Sequence, residues 1–201
     1  MNMICFDMES VLTPEIWIAF SEASGIPELR RTTRDEPDYD KLMRFRIATL
    51  KEHGLGLKEV QQVISTIDPL PGAREFLDRL REVAPVVILS DTFQEFAAPL
   101  VKKLGRPQIL CNSLVVAEDG EILAHTMRIA HSKLSAVRAF QSINYDTIAV
   151  GDSFNDLEMI AASKAGFLFN STPEIIAAHP QFPAYDNFDD LYEAILNAMK
   201  L

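Results

Sequence analysis

Two acids two residues apart, Asp7 and Glu9, follow the apolar run Met3 to Phe6. Two more, Asp152 and Asp156, sit with the amide Asn155 in Gly151-Asp152-Ser153-Phe154-Asn155-Asp156. Paired carboxylates at such spacing support two kinds of chemistry. One acid can attack as a nucleophile while its neighbour moves a proton. Alternatively, carboxylates with backbone carbonyls and water can hold a hard divalent cation, and Asp7 with Asp152 could supply that donor set. Ser90, after the run Val86 to Leu89, adds a hydroxyl. A simpler role stays open for Asp156, because Ser153 and Asp156 also fit a helix-capping box. Ser171-Thr172-Pro173-Glu174 shares that spacing and reads only as a helix start.

The elements that must position these residues are legible as runs. Met3 to Phe6, Val86 to Leu89 and Thr147 to Val150 are continuous, apolar and not alternating. That pattern predicts central strands of a parallel sheet buried on both faces. Helical periodicity lies between and after them, over Ala73 to Val83, Glu95 to Leu104, Ser132 to Ser142, Asn155 to Lys164 and Phe188 to Met199. Strands alternating with helices imply an α/β, doubly wound, Rossmann-like fold. In such a sheet ligands bind beyond the carboxyl ends of the strands, where Asp7, Ser90 and Asp152 would meet. Polar residues also follow strands because loops are wet, so one position alone would carry little.

The stretch from Pro14 to about Ile67 breaks the alternation, with helical periodicity and no convincing strand. Thr13-Pro14 reads as an N-cap with proline at the first helical position. A charged loop from Arg30 to Tyr39 contains Pro37, and helices are expected over Asp40 to His53 and Leu57 to Thr66, broken by Gly54 and Gly56. Asp68-Pro69-Leu70-Pro71-Gly72 is a turn cluster. The expected organisation is therefore a core of residues 1–13 and 69–201 with a helical insert of residues 14–68. Asn112 to Met127, centred on Asp119-Gly120, reads as a β-hairpin.

Inside the insert, Arg46 has Leu42, Met43, Thr49 and Leu50 as helical neighbours and so points along a mostly apolar face. A buried guanidinium needs an anion, and its fork suits a carboxylate. An intramolecular salt bridge would serve equally. Arg44, near Asp40, reads as solvated. Glu15 could meet an ammonium, or could simply favour a helix N-terminus.

Composition narrows the classes. The chain has 201 residues, 48% hydrophobic and 24% charged, with a formal net charge of −10. An acidic protein lacks the basic face of a nucleic-acid binder and is not drawn to acidic lipid. Cys5 and Cys111 have no CxxC spacing, so a disulfide scaffold and a thiolate zinc site are unsupported. No apolar run reaches the ~18 residues of a membrane helix, and no leader pattern opens the chain, so a cytoplasmic enzyme for a small-molecule substrate is expected.

The set Asp-x-Glu-x-Val, a strand ending in Ser-Asp-Thr, a lysine opening a later helix and Gly-Asp-Ser-Phe-Asn-Asp resembles the haloacid dehalogenase-like phosphohydrolases. The four motifs run from Asp7 to Asp156; each is weak alone, and their order is specific. The resemblance implies a Mg²⁺-dependent mechanism through an aspartyl phosphate. It makes Asp7 the nucleophile and Glu9 the general acid and base, with the Glu9 carbonyl on the metal beside Asp7 and Asp152. Ser90, Lys133 and Asn155 would bind phosphate, and Asp156 would support the metal's surroundings. An exposed helical lysine is the plainer reading of Lys133, and His131 beside it reads as a loop residue.

The helical insert is similar to the small cap of phosphoserine phosphatases. There Glu15 and Arg46 match the residues that hold the amino and carboxylate groups of O-phosphoserine. Two departures stand out. Glu9 replaces the usual aspartate and reaches one methylene further. Asp91-Thr92 replaces two glycines after Ser90, and both are taken as substrate contacts although Asp91 cannot approach a ligand as closely as glycine does. With Ile88 to Phe93 and Pro180 to Pro183, these departures resemble a bacterial branch that also transfers phosphate to homoserine. A phosphatase for another small phosphomonoester remains the alternative. A phosphorylated receiver-like module fits less well, because receivers lack a helical insert after the first strand.

Overall fold

A computed structural model describes residues 1–32, 35–36 and 38–200. Pro37, placed by the sequence reading in the charged loop, lies outside the described residues. Strand β1 (Asn2–Phe6) is followed by α1 (Ile16–Ser24), a 3-10 turn (Pro27–Arg30), α2 (Tyr39–Glu52), α3 (Leu57–Ser65) and α4 (Ala73–Arg81). Then come β2 (Val86–Phe93), α5 (Gln94–Lys103), β3 (Gln108–Val116), β4 (Ile122–Thr126) and α6 (Ser132–Ser142). The chain closes with β5 (Asp146–Gly151), a 3-10 turn (Phe154–Asp156), α7 (Leu157–Ala162), β6 (Ala165–Phe169), α8 (Pro173–Ala178), β7 (Ala184–Tyr185) and α9 (Phe188–Lys200).

The sheet order is β4-β3-β2-β1-β5-β6-β7. All neighbours are parallel except β3 and β4, which are antiparallel. The fold is thus the expected α/β, mostly parallel sheet with helices on both faces. The chain winds outward on one side of β1 and then on the other, so the switch point lies between β1 and β5, where a crevice opens.

Continuous apolar runs make sense once both faces are seen. Ile4 and Phe6 enter one core with Ile88, Ile148, Val150 and Phe76, whereas Cys5 enters the other with Val87, Ala149, Val137 and Ile160. Successive side chains alternate faces, so the buried positions Ile4, Cys5 and Phe6 must all be apolar. Phe6 is fully buried and packs edge-on against Phe76 at 5.6 Å. Truncating Phe6 to alanine would cost about 3–5 kcal/mol.

The helices between β1 and β2 dock through aromatic residues. Trp17 stacks on Phe96 of α5 at 4.5 Å, and Phe20 packs beside it. Gln61 of α3 donates to the Glu95 carbonyl at 2.7 Å, and the Leu57 amide donates to the Gly120 carbonyl at 2.8 Å. A Cβ on Gly56 would lie 2.9 Å from that Gly120 oxygen, so glycine is what lets α3 begin against the β3–β4 turn.

Several boundaries differ from expectation, each for a local reason. The N-cap of α1 is Glu15, not Thr13. Thr13 is buried, and both its amide and its hydroxyl donate to the Met8 carbonyl, closing the turn after β1. Strand β2 runs on to Phe93, with a register irregularity between Leu89 and Phe93 that places Ser90, Asp91 and Thr92 in a bulge. Strand β3 is not only a hairpin arm, since it also extends the parallel sheet beside β2. The expected helix Asn155 to Lys164 is a 3-10 turn followed by a helix ending at Ala162, and the unforeseen strand β6 follows. Helix α8 does start as expected, with Pro173 in its first turn and Thr172 as its cap. Cys5 is buried, whereas Cys111 is only partly so. Among the described residues no helix is long and apolar enough to cross a membrane.

Candidate active site

Asp7 leaves β1 with its amide bonded to the Val150 carbonyl at 2.9 Å. Its Oδ1 accepts from the Met8 amide at 2.7 Å, which fixes the carboxylate over the sheet end. Lys133, in the first turn of α6, is 4% exposed and reaches Asp7 Oδ1 at 2.9 Å and Asp156 Oδ1 at 2.6 Å. The plainer reading of Lys133 as a surface lysine is therefore wrong. Burial works against its ammonium, but Asp7, Asp156 and Asp91 overcome it and hold the lysine above its ordinary value.

Asp156 is fully buried and closes the capping box with Ser153 that the sequence left open. Its Oδ2 accepts from the amides of Asp152 and Ser153 at 3.0 and 3.1 Å, and its Oδ1 accepts from Lys133. The close approach depends on Gly151, where a Cβ would fall 2.3 Å from the Asp156 Cβ. Asp7, Asp152 and Asp156 each present an oxygen, all within 4.8 Å of one another. One lysine faces three acids. Burial first, and then Asp156, pushes Asp7 well above the usual carboxylate range. The same two causes, in that order, push Asp152 up to about 7. An all-carboxylate set short of positive charge has the donor chemistry of a hard divalent cation site.

Glu9 caps α1 from outside the helix, since its Oε2 accepts from the Ile16 amide at 3.1 Å while the N-cap Glu15 makes no side-chain bond. Burial and then repulsion from Glu15 push Glu9 up to about 7, against the Ile16 amide, Arg46 and Lys133. Glu9 thus lies within electrostatic reach of both the core lysine and the arginine of α2. Glu15 itself is exposed.

Arg46 is 5% exposed. Its guanidinium lies over the Trp17 ring at 4.4 Å, and Nη2 donates to the Arg31 carbonyl at 2.7 Å. Among the described residues it forms no ion pair, and its buried Nε–H has no acceptor. Burial lowers it to about 10, against Tyr39, Glu9 and Glu15. A buried cation with an unpaired donor is costly unless something binds there.

The remaining predicted positions lie in the β2 bulge and after β5 and are held by hydrogen bonds to one another and to α6. Ser90 is 2% exposed, and its Oγ accepts from the amide of buried Thr92 at 3.3 Å. The carboxylate of Asp91 accepts from Ser132 Oγ at 2.9 Å and Asn155 Nδ2 at 3.3 Å. Exposed Asn155 also accepts from Ser153 Oγ. His131 is exposed, 3.1 Å from Glu158.

Sequence reading missed two groups at the rim. Tyr39 spans from α2 to the core, its hydroxyl donating to the Asp91 carbonyl at 3.3 Å. Ser171 Oγ donates to the Asp152 carbonyl at 2.6 Å, and Asn170 Nδ2 to the Ser10 carbonyl at 3.3 Å. Asn170 and Ser171 follow the apolar run of β6, which is the signal that revealed Asp7, Ser90 and Asp152. Nothing local marks Tyr39.

Comparison with known proteins agrees with this geometry. A family model described as haloacid dehalogenase-like hydrolase matches residues 1–164. The chain is 49% identical over 197 residues to a phosphoserine phosphatase of Pseudomonas syringae pv. tomato, covering 98% of this chain and 83% of the relative. It is 48% identical over 198 residues to phosphoserine phosphatase ThrH of Pseudomonas aeruginosa, covering 98% and 97%. A solved phospho-aspartyl intermediate analogue of phosphoserine phosphatase superposes with a TM-score of 0.75 at 19% identity, covering 96% of this chain and 98% of that one.

Proposed function

The chain belongs to the haloacid dehalogenase-like hydrolases, and from that premise we propose that it is a phosphoserine phosphatase that also passes the phosphoryl group to homoserine. The observation that carries the substrate is the buried guanidinium of Arg46, which has no carboxylate partner among the described residues, keeps an Nε–H without an acceptor and lies within electrostatic reach of Glu9. It calls for an anion besides the phosphate, and the α-carboxylate of an amino acid fits its fork. Exposed Glu15, close enough to repel Glu9 and Asp152, suits the α-ammonium. Relatives named phosphoserine phosphatase support the same reading.

Asp7, Asp152 and the Glu9 carbonyl would hold Mg²⁺, with Asp156 steadying Asp152 through its amide. When bound, the cation would supply positive charge to the phosphoryl oxygens and help keep Asp7 ionised. Asp7 attacks phosphorus, forming an aspartyl phosphate and breaking the bond to the serine oxygen. Lys133, bonded to Asp7, neutralises charge on the transferring group. Glu9, raised to about 7, gives its proton to the departing alkoxide. It then takes a proton from water or from the homoserine hydroxyl, which attacks phosphorus and frees Asp7. The helices of residues 14–68 form the cap that positions the amino-acid head and limits water.

³¹P NMR of O-phosphoserine turnover with Mg²⁺, with and without homoserine, tests this. Phosphate alone in the first mixture and an added phosphohomoserine signal in the second are expected. Phosphate alone in both would remove the transferase activity, and no turnover in either would remove the substrate. The alternative, a phosphatase for another small phosphomonoester, needs neither Arg46 nor Glu15.

A further inference from the structure

Asp91 accepts hydrogen bonds from four elements at once. Its backbone carbonyl accepts from Asn112 Nδ2 of β3 at 3.0 Å and from the Tyr39 hydroxyl of α2 at 3.3 Å. Its carboxylate accepts from Ser132 Oγ of α6 at 2.9 Å and from Asn155 Nδ2, in the turn after β5, at 3.3 Å. Both carboxylate partners are neutral donors, so the side chain is engaged on the protein itself.

Helix α6 needs such a partner. Its N-cap is His131, which has a left-handed backbone (φ 49) and makes no side-chain capping bond. A helix start without a cap leaves amides unpaired and frays readily. A carboxylate at that end supplies the charge the helix dipole favours, and Asp91 holds the first helical residue through the Ser132 hydroxyl rather than through a backbone amide. The residue it grips, Ser132, immediately precedes Lys133, whose ammonium holds Asp7 and Asp156. The bulge in β2 carries Asp91 out of regular register toward α6. Bulges commonly re-aim side chains beside active sites.

We infer that Asp91 is a positioning residue for phosphoryl transfer, anchoring the uncapped start of α6 and so aiming Lys133 at Asp7, rather than a ligand of the substrate. Through its carbonyl the same residue ties α2 of the insert, by Tyr39, to that anchor. The inference rests on the phosphatase reading of the site and adds a second hand on Lys133 that the motif pattern does not reveal.

A double-mutant cycle of Asp91→Asn and Ser132→Ala in the Mg²⁺-loaded full chain tests it, with kcat and KM measured on O-phosphoserine and on p-nitrophenyl phosphate. A misaimed catalytic group costs on the order of 10–100-fold, so each single variant should lose about that much kcat with KM within about threefold. The double variant should lose little more than the worse single, because Asp91→Asn removes the charge from, and Ser132→Ala removes the donor of, one and the same contact. Additive losses, or no loss in either single variant, would overturn the inference. A sharp KM rise at unchanged kcat in Asp91→Asn would make it a substrate ligand instead. If Asp91→Asn does not fold, Ser132→Ala decides alone, since it removes one hydroxyl and must lower kcat without raising KM. Turnover of p-nitrophenyl phosphate but not O-phosphoserine by the wild type would remove the substrate reading and leave the cycle readable.

Discussion

The sheet end and the insert handle buried charge in opposite ways. At the sheet end, Lys133 bonds both Asp7 and Asp156, and the amides of Asp152 and Ser153 complete Asp156. In the insert, Arg46 is as deeply buried yet has, among the described residues, no carboxylate partner and keeps an unpaired Nε–H. One region is organised before any ligand arrives. The other would be completed by the carboxylate of the proposed substrate. The difference separates generic chemistry, which needs fixed geometry, from recognition, which can leave a group waiting.

Breaking the organised side should have the largest effects. Asp7→Asn should reduce turnover by about 10⁴-fold or more, since removing a nucleophile ends the covalent route; steady-state release of phosphate measures it. Lys133→Met leaves two acids buried without their cation. It should cost about 3–5 kcal/mol of stability, read by chemical denaturation without metal, along with most of the activity. Gly151→Ala drives a methyl into Asp156. Overpacking of that kind should cost about 1–3 kcal/mol and weaken Mg²⁺ binding, read by calorimetry.

A smaller effect concerns pH. Asp7, Asp152 and Glu9 are all raised in the folded state, the latter two to about 7. Between their ordinary values near 4 and pH 7 the native state holds more protons than the unfolded chain, so metal-free stability falls as pH rises through that window. Thermal melts in EDTA should show Tm lower at pH 7.5 than at pH 5 by on the order of 5 °C, and Mg²⁺ should flatten the trend. An equal drop with and without Mg²⁺ would mean the cation sits elsewhere.

How much of this was legible depends on range. Three buried strands and the polar residues that follow them, Asp7, Ser90 and Asp152, are local signals, and they placed the crevice. The apolar neighbours of Arg46 foretold its burial, though not whether a carboxylate would meet it. Strand β6 was missed because a helix of only six residues precedes it and Ala165-Gly166 gives a weak β signal. The bulge in β2 hides in the sequence because Ser90-Asp91-Thr92 reads as the end of a strand. Tyr39 and Asp91 meet across 52 positions, and no periodicity encodes such a pair.

Substrate discrimination by Arg46 tests the division between prepared chemistry and waiting recognition most directly. The measurement is kcat/KM for O-phosphoserine against O-phosphoethanolamine, which lacks the carboxylate, in wild type and Arg46→Ala. A charge-assisted hydrogen bond of about 1.5–3 kcal/mol corresponds to roughly a 10–100-fold preference for O-phosphoserine. That preference should vanish in Arg46→Ala while the rate on O-phosphoethanolamine is kept. Equal preference in both proteins would contradict the account and make Arg46 a structural residue of the insert.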